Sequence, residues 1–289
     1  MPLHEQNSRA RLHRHRSRGR SAALAVAFFL LTGVLPALAE AAHGLAIQMV
    51  QPGREGLELS ARLTPGGGPL QQNISWTIRD TDGVTVYSGT EGTADVSLAP
   101  GDYVVDASYG ATLIEKLVSL PAATRLKINL VLDAGGLKVE PKLGKIDVPP
   151  VASRVRVFSM DGKRLMAVSV TPGEIIRLPE GTYRVESQVS TGNVKAVADV
   201  HVTAGRVATI RIAHKAGLAR LAFVGAPNAA VRWDIEDQSG SPIATRGGIN
   251  ANVTLLPGTY TARAAVGAEL LTATFNIAAG EVRDIMLGN

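Results

Sequence analysis

The chain has 289 residues, of which 45% are hydrophobic, 19% charged and 4% aromatic, and it contains no cysteine. This composition excludes wholesale disorder because it supplies enough apolar side chains for buried cores. The lack of cysteine excludes disulfides, thiol nucleophiles and cysteine-ligated zinc or iron–sulfur sites. At roughly 100–200 residues per domain, the length indicates two or three domains, or more if they are small β-modules.

The formal net charge of +5 comes from the first 39 residues. Six of the 30 basic residues and one of the 25 acidic residues lie there, which leaves 24 of each in residues 40–289. A neutral body argues against binding to nucleic acid, because phosphate-backbone recognition depends on many Lys and Arg contacts.

The N-terminal segment has the layout of a secretory signal peptide. Residues 9–20 are strongly basic, residues 21–35 (SAALAVAFFLLTGVL) are apolar, and Ala37-Leu38-Ala39 follows Pro36. A basic region, a short apolar core and an A-x-A site are typical of cleaved leaders, and about 15 apolar residues are fewer than the roughly 20 that span a bilayer. We expect cleavage after Ala39 and a periplasmic or secreted protein. The alternative is an uncleaved inner-membrane signal anchor, the one case in which we expect contact with a membrane.

A six-residue motif, Leu-x-Pro-Gly-x-Tyr, recurs along the rest of the chain. It occurs as LAPGDY at 98–103 and LLPGTY at 255–260, with the variant LPEGTY at 178–183. Upstream, WTIRDTDG, VRVFSMDG and WDIEDQSG align without gaps and end in turn dipeptides. Repeats of about 80 residues with alternating apolar positions and turn signals predict tandem modules built from short strands.

The predicted fold class is all-β, with three tandem seven-stranded antiparallel β-sandwich modules after the leader. We place the boundaries at 1–39 (signal peptide), 40–55 (N-terminal tail or edge strand), 56–133, 134–215 and 216–289. A parallel sheet is not expected, because the sequence has no helical segments for crossover connections. The junctions are short and lack flexible-linker composition, which predicts an elongated array on the order of 100 Å long.

The repeated residues are assigned structural roles at a sheet corner and in the cores. We expect each motif glycine to adopt a positive φ at the turn, and each motif tyrosine to bury its ring and tie its hydroxyl to nearby backbone, as in a tyrosine corner. The alternating pattern places both tryptophans on inward faces. The residues with these assignments are Gly101, Gly181, Gly258, Tyr103, Tyr183, Tyr260, Trp76 and Trp233.

The aspartate-glycine hairpin followed by Leu-Pro-x-Gly-x-Tyr resembles the prealbumin-like modules, which include carboxypeptidase-regulatory-like domains and Cna B-type repeats of bacterial adhesins. The chain also looks similar to exported proteins of proteobacteria. The resemblance implies a sandwich used as a stalk, spacer or docking surface. Adhesin-type repeats often carry a Lys–Asn isopeptide cross-link, with Lys on the first strand and Asn or Asp on the last. This sequence departs from that pattern in every module, since Asn129 lacks a matching Lys and Lys138 lacks a matching Asn; we predict no cross-link.

No catalytic or metal-binding set is evident. His43, His201 and His214 lack partners at ligand spacing, and we interpret each as a satisfied or solvated surface residue. The acidic pairs Asp80/Asp82 and Glu236/Asp237 lie in hairpins, where turn chemistry explains them better than calcium or glycosidase chemistry. We therefore predict no catalytic residue, metal or cofactor.

These features predict a non-enzymatic cell-envelope protein that acts as a structural spacer or protein-interaction scaffold, with an unidentified envelope protein as the favoured partner. Two alternatives stay open: a module that binds cell-wall glycan or polysaccharide, and a regulatory or accessory subunit of an envelope enzyme. Sugar stacking requires exposed rings, for which Tyr87 and Tyr109 are the candidates. An apolar or strand-edge patch would favour a protein partner instead.

Overall fold

The computed structural model describes residues 44–144 and 153–288. The predicted leader, the cleavage site after Ala39, His43 and residues 145–152 lie outside the described residues. Within those two ranges the chain forms 22 β-strands and no helix. The described residues accordingly include no helix that is long and apolar enough to cross a membrane.

The strands fall into three groups of seven, preceded by one additional strand. The additional strand is β1 (Gly44–Met49). Module 1 contains β2 (Gly56–Arg62), β3 (Ser75–Asp80), β4 (Thr85–Gly89), β5 (Thr93–Ser97), β6 (Gly101–Tyr109), β7 (Thr112–Leu120) and β8 (Thr124–Val131). Module 2 contains β9 (Ala134–Lys142), β10 (Ser153–Ser159), β11 (Leu165–Ser169), β12 (Ile175–Pro179), β13 (Gly181–Val189), β14 (Lys195–Val202) and β15 (Val207–Ala213). Module 3 contains β16 (Gly217–Val224), β17 (Val231–Asp237), β18 (Pro242–Gly247), β19 (Asn250–Leu255), β20 (Gly258–Val266), β21 (Glu269–Ile277) and β22 (Val282–Gly288).

Each module is a sandwich of two sheets, which confirms the predicted fold class. In module 1 the sheets have the orders β1-β8-β2-β5 and β4-β3-β6-β7. Module 2 repeats them as β12-β9-β15 and β11-β10-β13-β14, and module 3 as β19-β16-β22 and β18-β17-β20-β21. Only module 1 carries the additional edge strand within the described part of the chain.

One strand pair in each module is parallel, which the sequence did not lead us to expect. The first and last strands pair in parallel in β2/β8, β9/β15 and β16/β22, and all other ladders are antiparallel. A parallel connection needs a crossover of a dozen or more residues. Here the five intervening strands, most of them in the opposing sheet, serve as that crossover, so no helix is required.

Alternating side chains from both sheets fill a separate core in each module. Leu57, Leu59 and Trp76 are buried in module 1. Leu137 and Val157 are buried in module 2, and Leu221 and Trp233 in module 3. The first hairpin of each module also carries a register shift at one equivalent position, next to Ile78, Val157 and Ile235. The repeats are therefore equivalent in detail as well as in topology.

Candidate functional site

The motif tyrosines form the same contact in all three modules. Each ring is buried, and each hydroxyl donates a hydrogen bond to the carbonyl oxygen four residues upstream. The pairs are Tyr103 to Ala99 (2.8 Å), Tyr183 to Pro179 (2.7 Å) and Tyr260 to Leu256 (2.9 Å). Burial raises the pKa of Tyr183. This arrangement fastens the start of β6, β13 and β20 to the preceding loop.

The motif glycines do not share the positive φ that we expected of them. Neither Gly101 nor Gly258 has one, and Gly181 has a φ of 158°, close to extended backbone. Each glycine begins a strand, so its backbone is extended rather than turned. A Cβ added at Gly101 would lie 3.8 Å from the ring of Tyr103, an ordinary contact. Positive φ occurs instead at the glycine of each first hairpin, Gly83, Gly162 and Gly240.

Trp76 and Trp233 lie inside their modules and are not stacking platforms. Both are fully buried. The indole Nε1 of Trp76 donates to Glu91 O at 2.9 Å, and that of Trp233 donates to Gly248 O at 3.0 Å. The two rings therefore anchor neighbouring loops from within.

The two tyrosines proposed as exposed aromatics are only half-exposed, which corrects that expectation. Both pack against the core of module 1. The Tyr87 hydroxyl donates to the Glu91 carboxylate at 2.9 Å, and the guanidinium of Arg177 lies 5.5 Å from the centroid of the Tyr109 ring. A sugar ring would have to displace these contacts, so neither side chain is an open platform.

The described histidines occupy different environments. His201 is exposed on β14, and its Nδ1 lies 3.1 Å from Thr182 Oγ1. His214 is only 1% exposed, with Nε2 at 3.1 Å from Ser187 O and Nδ1 at 3.3 Å from Lys142 O. His214 is thus satisfied, as expected, but it is not at the surface, because it packs in the connection between β15 and β16 against the backbone of β13 and β9.

Asp80 and Asp237 act as turn acceptors, whereas Glu236 lies on β17 and pairs with Arg263 at 2.9 Å. Asp80 Oδ1 accepts hydrogen bonds from the backbone N–H groups of Asp82 and Val84, and Asp237 Oδ1 does the same for Ser239 and Ser241. Hydrogen bonds from Ser239 and the backbone lower the pKa of Asp237. Across residues 44–144 and 153–288, no group of three or more His, Cys, Asp or Glu side chains could hold a metal ion.

The two residues considered for a cross-link have other partners. Asn129 Oδ1 accepts a hydrogen bond from Ser60 Oγ at 2.5 Å, and Lys138 Nζ lies 3.2 Å from the Glu140 carboxylate.

The junction between modules 1 and 2 is closed by the β6–β7 turn. The backbone N–H of Ala111 donates to Arg177 O at 3.0 Å, on the edge strand β12 of the next module. Gly110 has a φ of 62°, and a Cβ there would lie 2.6 Å from Arg177 O and overlap the Arg177 side chain. Beside this contact is a groove of about 520 Å³ lined mainly by aliphatic side chains, with Arg164 as its one charged lining residue.

The junction between modules 2 and 3 uses the equivalent turn and the equivalent edge strand. The N–H of Thr254, on β19, donates to Thr191 O at 3.3 Å, and the hydroxyls of the two threonines are 3.0 Å apart. Asn193 Nδ2 donates to the Tyr260 hydroxyl at 3.2 Å. A Cβ at Gly192 would overlap the carbonyl of Thr254. The same surface of one module therefore contacts the same position of the next at both junctions.

Glu55 is a structural residue that the sequence analysis did not select. It is nearly buried between β1 and β2, where its carboxylate accepts hydrogen bonds from Ala123 N at 3.0 Å and Gly53 N at 2.7 Å. These bonds, chiefly that from Ala123, lower the pKa of Glu55. Ala123 has a φ of 54°. In modules 2 and 3 the corresponding turn is bonded by backbone carbonyls, those of Ala134 and Ala216.

No family model and no curated protein matches the chain. Among the solved structures that resemble it at low identity are the following three. The Bacillus anthracis TIE protein is 13% identical over 85% of this chain and 57% of that chain, with a TM-score of 0.26. A streptococcal ancillary pilin is 14% identical over 81% and 98%, with a TM-score of 0.29. The Bacillus cereus major pilin subunit BcpA is 10% identical over 81% and 99%, with a TM-score of 0.23.

The chain thus spans little more than half of the Bacillus anthracis protein. Identities of 10–14% and TM-scores below 0.30 transfer no function. The fold described above rests on the strand pairings of this chain.

Proposed function

We propose that this chain is a non-enzymatic, exported protein of the cell envelope that acts as a structural spacer or protein-interaction scaffold. The observation that supports the proposal is the repeated junction, in which each β6–β7-type turn contacts the following module through backbone groups. A scaffold must hold its modules in a fixed relation, and short, hydrogen-bonded junctions restrict hinge motion more than flexible linkers do.

The buried side chains at the second junction support the same proposal. Leu143, Val189, Val194 and Ala216 form a small apolar cluster beside His214, separate from the main core of module 2. Ala216 belongs to the connection between β15 and β16. A connection that is buried and hydrogen-bonded has little conformational freedom, so it restricts motion between the two modules.

Small-angle X-ray scattering on residues 40–289 tests the spacer role directly. An extended array predicts a radius of gyration above about 26 Å, whereas a globule of the same length would have a value near 18 Å. A value near 18 Å would overturn the spacer role in favour of modules that fold back on one another.

Variants at the turn glycines test whether the junctions set that dimension. Gly110→Ala and Gly192→Ala introduce a Cβ that overlaps the next module, whereas Gly267, at the same turn of module 3, has no atom within 4 Å of an added Cβ. We expect a broader distribution of intramolecular pair distances for the first two variants and an unchanged distribution for Gly267→Ala. Equal distributions in all three would mean that the junction contacts do not hold the modules.

N-terminal sequencing of the protein from its native host tests the proposed cellular location. We expect the mature chain to begin at Glu40 or within two residues of it. An intact leader in the membrane fraction would replace the exported form with an anchored one.

A further inference from the structure

Strand β1 lies outside the repeated unit, and it is exposed along its whole length. Modules 2 and 3 form their sandwiches without an equivalent of β1 in the described residues. Residues Gly44–Met49 pair with β8 alone, and all six are exposed. A strand that the described parts of the other two modules lack, and that buries none of its own residues, is available for another contact.

The exposed residues of β1 include an apolar row. Leu45, Ile47 and Met49 are 54%, 63% and 74% exposed. In the antiparallel register Leu45 lies opposite Ile128 and Ile47 opposite Leu126. Directly opposed residues point to the same face of a sheet, and Leu126 and Ile128 are buried in the core. The row therefore continues the core face past the edge of the opposing sheet, where nothing in the described chain buries it.

The outer edge of β1 also lacks the features that usually prevent strands from pairing between molecules. Edge strands are normally protected by charged residues, proline or bulges. The sequence GLAIQM has no charge and no proline, and its pairing with β8 runs without a register shift.

The charges next to β1 are already neutralised within the sheet. On β8, Lys127 and Arg125 lie opposite Ala46 and Gln48. Lys127 Nζ lies 2.8 Å from the Glu58 carboxylate, and Arg125 pairs with Asp95. Because both cations are already paired, two copies of this surface could approach each other without bringing unpaired like charges together.

We propose that β1 is a dimerisation strand, which pairs antiparallel with β1 of a second copy of this chain about a two-fold axis at Ile47. This register places Ile47 opposite its own copy and Leu45 opposite Met49. All six apolar side chains then fall on one face, and the sheet becomes continuous through both molecules. An isologous contact of this kind requires a self-complementary surface, and a neutral strand with apolar residues spaced symmetrically about Ile47 provides one.

The absence of cysteine from the chain allows a register-specific test. Opposed Cα atoms in an antiparallel ladder are about 4.5 or 5.5 Å apart, within the range that a disulfide spans. Ile47→Cys should therefore form a disulfide-linked dimer under mild oxidation. Ala46→Cys should not, because in this register Ala46 and its copy are diagonal neighbours about 7–8 Å apart. Leu117→Cys, at an 80% exposed position on β7, controls for random collision.

Sedimentation equilibrium of residues 40–289 provides the second measurement. We expect a monomer–dimer equilibrium that Ile47→Lys shifts at least tenfold toward monomer, because it places like charges directly opposite each other. Leu117→Lys should leave the equilibrium unchanged. At concentrations where the native protein is monomeric, neither variant should lower the melting temperature, because Ile47 and Leu117 are both exposed. At higher concentrations Ile47→Lys should lose the stabilisation that association provides.

Several results would overturn the proposal. They are a monomer at every concentration up to about 100 μM, a dimer that persists in Ile47→Lys, equal cross-linking of Leu117→Cys, or cross-linking of Ala46→Cys alone. A dimer formed by exchange of β1 onto the partner's β8 would keep Ile47 opposite Leu126, so Ile47→Cys would not cross-link. The dimer proposal rests on the scaffold role proposed above, with a second copy of this chain as the partner. The two proposals can be tested separately, because small-angle scattering on the monomeric Ile47→Lys variant tests the scaffold role without the dimer.

Discussion

The ring of His214 lies against the backbone of Ser187, with 3.1 Å between its Nε2 and the carbonyl oxygen. His214 belongs to the connection between modules 2 and 3, whereas Ser187 belongs to β13 of module 2. The contact therefore holds the β15–β16 connection, where the chain leaves module 2, against strand β13 of module 2. It makes a buried histidine part of the junction.

His214→Ala should destabilise residues 40–289 by about 2–4 kcal/mol, because it leaves a cavity and removes a ring whose nitrogens lie within hydrogen-bond distance of Ser187 O and Lys142 O. The matched control is His201→Ala, an exposed position for which a cost below about 0.5 kcal/mol is expected. Urea unfolding at neutral pH compares the two. Similar costs would show that the junction does not enclose His214.

The tyrosine corner gives a second graded series. Tyr183→Ala removes a buried ring and should cost about 3–5 kcal/mol. Tyr183→Phe keeps the ring and loses only the hydrogen bond to Pro179 O, so a cost of about 0.5–1.5 kcal/mol is expected. If Tyr183→Ala cost no more than His201→Ala, the inward and outward faces of β13 and β14 would be misassigned.

Local patterns in the sequence were enough to predict the three modules, because each repeat carries its own turn and strand signals. The hairpin glycines, the inward tryptophans and the tyrosine corner all depend on contacts within a few residues or one neighbouring strand. The residues that make those contacts therefore lie within the sequence motifs themselves. The positive φ expected at Gly101 and Gly258 is absent, because a glycine after proline is as compatible with an extended strand start as with a turn.

The features that the sequence did not reveal depend on pairings between distant segments. The parallel pair of first and last strands joins residues about 70 apart. In β16 the core-facing residues are Ala219 and Leu221, which are buried, and Phe223, which is partly buried. This row is one residue out of step with Leu57 and Leu59 when Gly217 is aligned with Gly56. A one-residue shift reverses the faces of a strand, and the apolar sequence LARLAF permits either choice.

A third prediction concerns the turn glycines and separates contact from backbone strain. Gly110 and Gly267 have φ values of 62° and 60°, so alanine at either should cost about 1 kcal/mol in backbone strain. Gly110→Ala also forces the turn away from Arg177, and overlap of this kind costs about 1–3 kcal/mol more. Equal urea midpoints for the two variants would contradict the contact at the first junction.

The corner glycine supplies the third member of this comparison. Gly101 has no positive φ, and an added Cβ would make only ordinary contact with Tyr103. Gly101→Ala should therefore change stability by no more than about 0.5 kcal/mol.

A fourth prediction concerns ligands. Asp80 and Asp237 bond to their own turns, and no set of metal-binding side chains occurs in residues 44–144 and 153–288. The melting temperature of residues 40–289 should therefore be unchanged by EDTA, calcium, zinc or ATP. A shift of several degrees with any of them would reveal a site that these contacts do not explain.

The last prediction concerns Glu55 and acid. Backbone hydrogen bonds, chiefly that from Ala123, hold the pKa of Glu55 below its ordinary value, which is about 4.3 in an unfolded chain. A carboxyl whose pKa is lowered by folding contributes stability that is present above the unfolded pKa and is lost as the pH falls through the folded pKa. Glu55→Gln removes that contribution while keeping the size of the side chain and one acceptor oxygen. The difference in unfolding free energy between the native protein and Glu55→Gln should therefore be largest at pH 6–7 and shrink as the pH falls below about 4. Because the comparison is between two proteins that share every other acid, the remaining carboxylates cancel. A difference that stays constant from pH 7 to pH 3 would mean that the charge of Glu55 does not hold the connection between β1 and β2.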